Sequence, residues 1–148
     1  MQTENEARLE LRRWYALWHE AEAMYAGWAH EHGVSLNALM LLCALVDEPE
    51  SSQSSLAREL SMPKQTVNTI LKDFARRGYA ELRPEQEDRR NKRVELSAAG
   101  REYALALTEA LHKRELNVME RMGFDRIKAL NDAQELFNAL FKEGGHGR

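Results

Sequence analysis

Residues 52–100 read SQSSLARELSMPKQTVNTILKDFARRGYAELRPEQEDRRNKRVELSAAG and contain two short amphipathic segments separated by a turn. Ser52 is a suitable N-cap for a first helix over Gln53–Leu60, because its hydroxyl can accept from the free amides of the first turn. Pro63 suits the first position of a second helix, where no backbone N–H is needed. Gly78 is expected to end that helix, since glycine adopts the left-handed conformation of a helix C-terminus without strain.

The hydrophobic period changes after this pair of helices. Residues 79–84 and 92–96 alternate between apolar and polar side chains, and residues 85–91 between them are all polar. Two short alternating segments joined by a charged loop predict a β-hairpin. The order helix, turn, helix and hairpin predicts a winged helix-turn-helix.

Helical periodicity dominates both flanks of this segment. Apolar side chains recur three and four positions apart over residues 5–31, 98–122 and 125–142. A shorter apolar helix is predicted over residues 36–46, with Ser35 as its N-cap. The expected fold class is therefore mainly α with a small β-hairpin wing (α+β).

The charge is distributed unevenly along the 148 residues, whose formal net charge is −3. Leu56–Arg101 holds eleven Lys or Arg and seven Asp or Glu, whereas the rest holds ten and seventeen. A basic centre between acidic flanks favours a polyanionic partner such as double-stranded DNA, and it favours a different partner for the flanks.

The start of the second helix and the hairpin loop carry the candidate DNA contacts. Amide, hydroxyl and ammonium groups at a helix N-terminus suit base edges and phosphates. Four of the six residues in Asp88–Arg93 are basic, and Asp88 is expected to orient the Arg90 guanidinium through a bidentate ion pair. The expected DNA-binding residues are Pro63, Lys64, Gln65, Thr66, Asn68, Thr69, Lys72, Arg89, Arg90 and Lys92.

Short motifs follow one another in a fixed order along this segment. They are Leu56-Ala57-Arg58-Glu59-Leu60, Gln65-Thr66-Val67-Asn68, Arg77-Gly78-Tyr79, Asp88-Arg89-Arg90, Val94-Glu95-Leu96-Ser97 and Gly100. The set covers about 45 residues, and each piece is weak alone, but the order and spacing are specific. This ordered set resembles the multiple-antibiotic-resistance regulator (MarR) family.

The resemblance implies a homodimer in which residues 1–34 and 98–148 form a helical dimerisation region and residues 35–97 form the DNA-binding domain. It implies recognition helices in successive major grooves and Arg90 in the minor groove of a pseudo-palindromic operator. Regulators of this family usually repress, and many release DNA when a small aromatic or lipophilic ligand binds.

Three positions depart from the family pattern. Thr69 stands where arginine is common, and Pro63 where a more ordinary helix-start residue is common. Ser55 stands where an acidic capping partner is frequent, which predicts an incomplete capping box for the first helix.

The aromatic first helix is a candidate effector site. All three tryptophans lie within residues 14–28, and Trp14, Trp18 and His19 are the expected ligand contacts in an aromatic pocket. The alternative is that these aromatic side chains belong to the dimer core.

A metal- or redox-responsive regulator of the same fold is a second interpretation. It rests on His30, Glu31, His32, His112 and Cys43. His30 and His32 are two residues apart and face away from each other on a helix, so no metal site is expected. Cys43 is the only cysteine and lies in an apolar run, which favours a buried thiol over a reactive one.

No motif indicates an enzyme, because neither a phosphate-binding glycine loop nor a nucleophile motif is present, and no cofactor is expected. A winged helix that serves only protein–protein assembly remains an alternative. The mean hydropathy is −0.62, and no apolar run approaches the roughly 20 residues of a membrane span. The N-terminus lacks the apolar core of a signal peptide, so the expected location is the cytoplasm, with no membrane partner.

Overall fold

The computed structural model describes residues 3–88 and 90–144. Within these ranges the chain forms six helices and one two-stranded antiparallel sheet. The elements are α1 (Glu4–Glu31), α2 (Leu36–Asp47), α3 (Gln53–Glu59), α4 (Lys64–Arg76), β1 (Ala80–Pro84), β2 (Lys92–Leu96), α5 (Ala98–Met122) and α6 (Phe124–Gly144). This order confirms the predicted winged helix-turn-helix between long flanking helices.

Polar caps and left-handed glycines mark the helix boundaries. Thr3 closes a capping box at the start of α1, and the Ser35 hydroxyl accepts from the Ala38 amide at the start of α2, as predicted. Gly78 follows α4 with φ of 75°, and Gly123 separates α5 from α6 with φ of 88°. Both glycines adopt a conformation that costs other residues energy, which explains why the helices end there.

The caps of α3 and α4 correct two predictions. Ser55 does complete a capping box with Ser52, because its hydroxyl accepts from the Ser52 amide at 2.9 Å and the Ser52 hydroxyl accepts from the Ser55 amide. A serine hydroxyl thus replaces the expected acidic partner. Pro63 is the N-cap of α4 rather than its first helical residue, with φ of −58° and an extended ψ of 138°.

The hairpin forms the wing and is fastened to the segment before α3. Its register pairs Ala80 with Leu96 and Leu82 with Val94. The Val94 amide also donates to the Ser51 carbonyl at 2.9 Å. The bond places β2 beside the entry to α3, so the edge of β2 that faces away from β1 is held.

The core of the winged helix-turn-helix joins α2, α3, α4 and the wing. Its side chains come from the apolar stripes that the sequence pattern identified, which confirms the periodicity of those segments. The largest fully buried side chains of these elements are Phe74, Leu39, Leu41, Leu42, Leu45, Leu56, Leu71, Val67 and Val94.

The connection between α4 and β1 contacts the start of α5 so closely that no side chain fits between their backbones. The Ser97 hydroxyl donates to the Gly78 carbonyl at 2.6 Å and accepts from the Gly100 amide, capping α5. A Cβ on Gly100 would lie 2.7 Å from the carbonyl carbon of Tyr79 and 2.8 Å from its Cα. Such distances are shorter than real Cβ contacts, so this position requires glycine.

The chain divides into two compact units between Thr108 and Glu109. In the second unit, α6 buries none of its residues, and Phe124 and Phe141 are 79% and 76% exposed. In the first unit, the C-terminal end of α1 is buried at Trp28, whereas the preceding turns expose Leu17 and Met24. Both helices therefore carry large apolar side chains that are exposed in the single chain.

Among the residues that the structure describes, no single helix combines the length and apolar composition of a membrane span. The helices α1 and α2 meet these criteria only when taken together, with a bend of 83° between them.

Candidate nucleic-acid interface

An open groove of about 520 Å³ lies between the first turns of α3 and α4 and the wing. Every residue that lines it is polar, which distinguishes it from the largely apolar pockets that bind small molecules. The lining residues are Gln53, Ser54, Lys64, Gln65, Asn68, Lys72, Asp88, Arg90, Asn91 and Lys92.

Four cations that line this groove pair with no carboxylate of the described residues. Lys64 and Lys72 come from α4, and Arg90 and Lys92 come from the wing. Within residues 3–88 and 90–144, no ion pair involves any of these four side chains. Unpaired cations that converge on one concave surface create a positive potential suited to a polyanion.

The arginines at the other end of α4 differ from these cations. Arg76 and Arg77 both pair with Asp73, the latter at 3.7 Å between Nη1 and Oδ2. The hydrogen bond from Arg76 holds the pKa of the Asp73 carboxyl below its usual value. Arg77 also lies over the Tyr79 ring, 4.8 Å from its centroid. These two arginines are thus paired with a carboxylate or stacked on a ring, unlike the four cations that line the groove.

The structure brings six of the ten sequence-predicted contact residues into the groove: Lys64, Gln65, Asn68, Lys72, Arg90 and Lys92. Pro63, Thr66 and Thr69 do not line it. Thr66 is half-buried, and the exposed Thr69 donates its hydroxyl hydrogen to the Gln65 carbonyl at 2.9 Å. Arg89 lies outside the described residues.

The contact between Asp88 and Arg90 is not the ion pair that the sequence suggested. The Asp88 carboxylate accepts from the backbone amide of Arg90 at 2.9 Å. An aspartate that bonds the amide two residues ahead forms an Asx-turn, a local conformation that this spacing favours. The bidentate prediction was therefore wrong, and Asp88 shapes the loop backbone while Arg90 stays exposed.

Asn91 fastens the wing to α3. Its Oδ1 accepts from the Ser54 amide at 3.2 Å, and its Nδ2 donates to Glu85 Oε2 at 2.7 Å. Its backbone carbonyl accepts from the Glu85 amide at 3.1 Å. The side chain thus satisfies a free amide of the first turn of α3 and closes the base of the wing loop.

Gln53 fastens α4 to the same turn of α3. Its Nε2 donates to Asn68 Oδ1 at 3.0 Å. Sequence reasoning missed Gln53, Ser54 and Asn91 as parts of the groove. Nothing in the local pattern identifies them, because the bonds that bring them there span 15 and 37 residues.

The proposed effector contacts form an aromatic cluster on α1. The Trp14 and Trp18 ring centroids are 5.2 Å apart, and His19 stacks on Trp18 at 6.4 Å. Trp18 is 55% exposed and Trp14 is half-buried. The structure brings these three side chains together on one surface of α1.

The residues of the metal or redox interpretation are placed differently. In the described part of the chain, no group of three or more His, Cys, Asp or Glu side chains is arranged to hold a metal ion. The His32 ring stacks on Trp28 with 3.8 Å between centroids, and its Nδ1 lies 2.8 Å from the Trp28 carbonyl. Cys43 is half-buried, so the expectation of a buried thiol is only partly met.

Comparison with known proteins gives matches for both sequence and fold. The model of the MarR family matches residues 32–91. HTH-type transcriptional regulator SarZ from Staphylococcus haemolyticus (strain JCSC1435) is 26% identical over 76 residues. This match spans 51% of the chain and 52% of SarZ, so the chain covers about half the length of this curated relative.

Solved structures match over most of the chain. A MarR family regulator from Neisseria meningitidis superposes with a TM-score of 0.80 and 23% identity, over 91% of this chain and 95% of that one. FabT from Streptococcus pneumoniae, solved in complex with DNA, gives a TM-score of 0.69 at 17% identity over 93% and 98%. Residues 32–91 are thus similar in sequence to the MarR family, and the whole chain shares its fold with these solved regulators.

Proposed function

We propose that the chain is a sequence-specific DNA-binding transcriptional regulator that acts as a repressor from the cytoplasm. The observation that carries the proposal is the groove in which Lys64, Lys72, Arg90 and Lys92 converge without carboxylate partners. Amide side chains lie among these cations, so the surface combines phosphate attraction with groups able to recognise bases.

The geometry suits a duplex in one orientation. The N-terminal end of α4 exposes Lys64 and Gln65, and a helix in this position enters the major groove with its first turns toward the bases. The wing then follows the phosphates, and Arg90 reaches the adjacent minor groove, where a narrow width strengthens the negative potential. FabT and AbfR, which share the fold, were both solved with DNA.

The regulator works as a homodimer on a pseudo-palindromic operator. Support comes from two helices whose apolar residues are exposed in the single chain: on α1, Leu17 is 54% exposed, and on α6, Leu136 is 61% exposed. A second copy that covers these surfaces gives the two recognition helices a fixed separation. The half-sites are then about one helical turn apart.

A small aromatic or lipophilic ligand releases the DNA. The cluster of Trp14, Trp18 and His19 supports this step, because stacked aromatic side chains with one polar ring suit such a molecule. Titration of tryptophan fluorescence with aromatic acids tests it. An unchanged spectrum in protein that still binds DNA contradicts the ligand step alone.

Equilibrium binding to a labelled random-sequence duplex and to duplexes selected from a random pool tests the central proposal. We expect selected duplexes to bind at least about a thousandfold more tightly than random ones at physiological salt. Both affinities are expected to fall steeply as salt rises. Absence of salt-dependent binding refutes DNA recognition and favours a winged helix that serves protein assembly. Sedimentation of the free protein tests the dimer separately.

A further inference from the structure

The hydrogen bond between Gln53 and Asn68 uses the oxygen of the Asn68 amide, and Asn68 is one of the residues predicted to contact DNA. Gln53 Nε2 donates to Asn68 Oδ1 at 3.0 Å, and both residues line the groove and are half-buried. Gln53 is the first residue of α3, which the Ser52–Ser55 capping box holds in place. The donor therefore comes from a fixed backbone position.

An asparagine amide has one acceptor oxygen and one NH₂ donor, and recognition of adenine uses both ends. In that pairing Oδ1 accepts from N6 of the base while Nδ2 donates to N7. Within the described residues, the bond from Gln53 is the only hydrogen bond of the Asn68 side chain. It directs Oδ1 toward Gln53, uses one of the two lone pairs of that oxygen, and leaves the Nδ2 hydrogens for another partner.

We propose that Gln53 is a specificity-determining residue that acts through Asn68. It holds the Asn68 amide so that Nδ2 donates to a base edge, and Asn68 therefore recognises a base that offers acceptors. Guanine suits this arrangement best, because N7 and O6 are both acceptors in the major groove. This inference rests on the proposed function, in which α4 occupies the major groove.

The substitution Gln53→Glu tests the direction of the hydrogen bond at nearly constant shape. An ionised carboxylate only accepts, so the Asn68 amide must turn and donate Nδ2 to it. That turn presents Oδ1 to the DNA in place of Nδ2. The favoured base at this position is then one that offers an exocyclic amine, adenine or cytosine.

The assay uses the full chain and a panel of duplexes derived from those that the wild type selects from a random pool. Each duplex carries one base-pair change, and the position that Asn68 contacts is the one whose preference disappears in Asn68→Ala. At that position we expect the wild type to prefer guanine about tenfold. In Gln53→Glu we expect the preference to reverse by a similar factor.

Gln86→Glu is the matched control, because it adds the same charge at an exposed position in the loop between β1 and β2. It is expected to weaken all duplexes about equally and to leave the base preference unchanged. Gln53→Met removes the donor without adding charge, and it is expected to relax the preference at that one position. Thermal melting of each variant separates these effects from loss of folding.

A folded Gln53→Glu or Gln53→Met protein that binds DNA with the wild-type preference for guanine overturns the inference. A wild-type preference for a base without acceptors at the Asn68 position overturns it as well. Failure of the proposed function is a different result, because the wild-type chain then shows no salt-dependent binding to any duplex.

Discussion

Replacing a single groove lysine should change the salt dependence of DNA binding by a predictable amount. Each chain contributes four unpaired cations to the groove: Lys64, Lys72, Arg90 and Lys92. If each contacts one phosphate, the dimer neutralises eight, and log K falls against log salt with a slope of about −7. Between about 50 and 200 mM salt the affinity then drops by about 10⁴-fold.

Lys72→Gln removes one of these cations from each chain of the dimer. We expect the slope to become shallower by about 2, because two fewer counterions are released when the dimer binds. The exposed position of Lys72 on α4 means that the substitution disturbs no core packing. The change in slope therefore reports the lost phosphate contact rather than a change in folding.

Lys113→Gln provides the control, since Lys113 is exposed on α5 and does not line the groove. Fluorescence anisotropy of a labelled duplex, measured at several salt concentrations, gives the slope for each protein. The same slope for Lys72→Gln and the wild type would place the DNA away from this groove. An equal reduction in Lys113→Gln would mean that the slope follows total charge and not the groove.

Three further substitutions test the wing and its attachments. Arg90→Ala should weaken duplex binding by about 2 kcal/mol, the scale of a charged hydrogen bond, with an unchanged dimer mass in sedimentation; full affinity would exclude the wing from the interface. Asn91→Ala should cost about 1–3 kcal/mol of unfolding free energy and speed hydrogen exchange at the α3 amide that it caps; unchanged exchange would mean that the wing is held otherwise. Gly100→Ala should cost at least about 1–3 kcal/mol in a denaturant titration, because its Cβ collides with Tyr79. Gly27→Ala on α1 is the control, because a Cβ there has no atom within 4 Å, and this variant should be as stable as the wild type or more stable. An equal loss of stability in both variants would contradict a steric collision as the cause at Gly100.

The sequence is sufficient for those parts of the fold that depend on neighbouring residues. The hairpin is predicted by the alternation of apolar and polar side chains in the two strands that pair Ala80 with Leu96. The end of α4 is predicted by Gly78. Both are local signals, since a period of two and a left-handed glycine are fixed within a few residues. The Ser55 capping hydroxyl was missed because the expected partner was an acidic side chain, although any acceptor three residues after the N-cap can close the box.

The candidate site is less accessible from sequence, because its shape depends on bonds between distant residues. Polar side chains at the start of α4 and in the wing could be predicted as candidate DNA contacts from their composition. Their relative placement was not, since it depends on Gln53 and Asn91, which reach across to another element. The predicted ion pair between the Asp88 and Arg90 side chains failed for the opposite reason. A local Asx-turn forms instead, in which the Asp88 carboxylate accepts from the backbone amide of Arg90.

The first turn of α3 connects α4 to the wing through two hydrogen bonds. Its two consecutive residues bind the two elements expected to touch the duplex: Gln53 binds Asn68 of α4, and the Ser54 amide binds Asn91 of the wing. DNA binding then loses less conformational entropy, because α4 and the wing are already held in a fixed relative position by α3. Variants in this turn should therefore couple energetically with variants in both elements, and double-mutant cycles measure that coupling. If the effects of Gln53→Met and Asn68→Ala on the free energy of duplex binding are strictly additive, the two residues act independently. The buried core alone would then set the relative position of α4 and the wing.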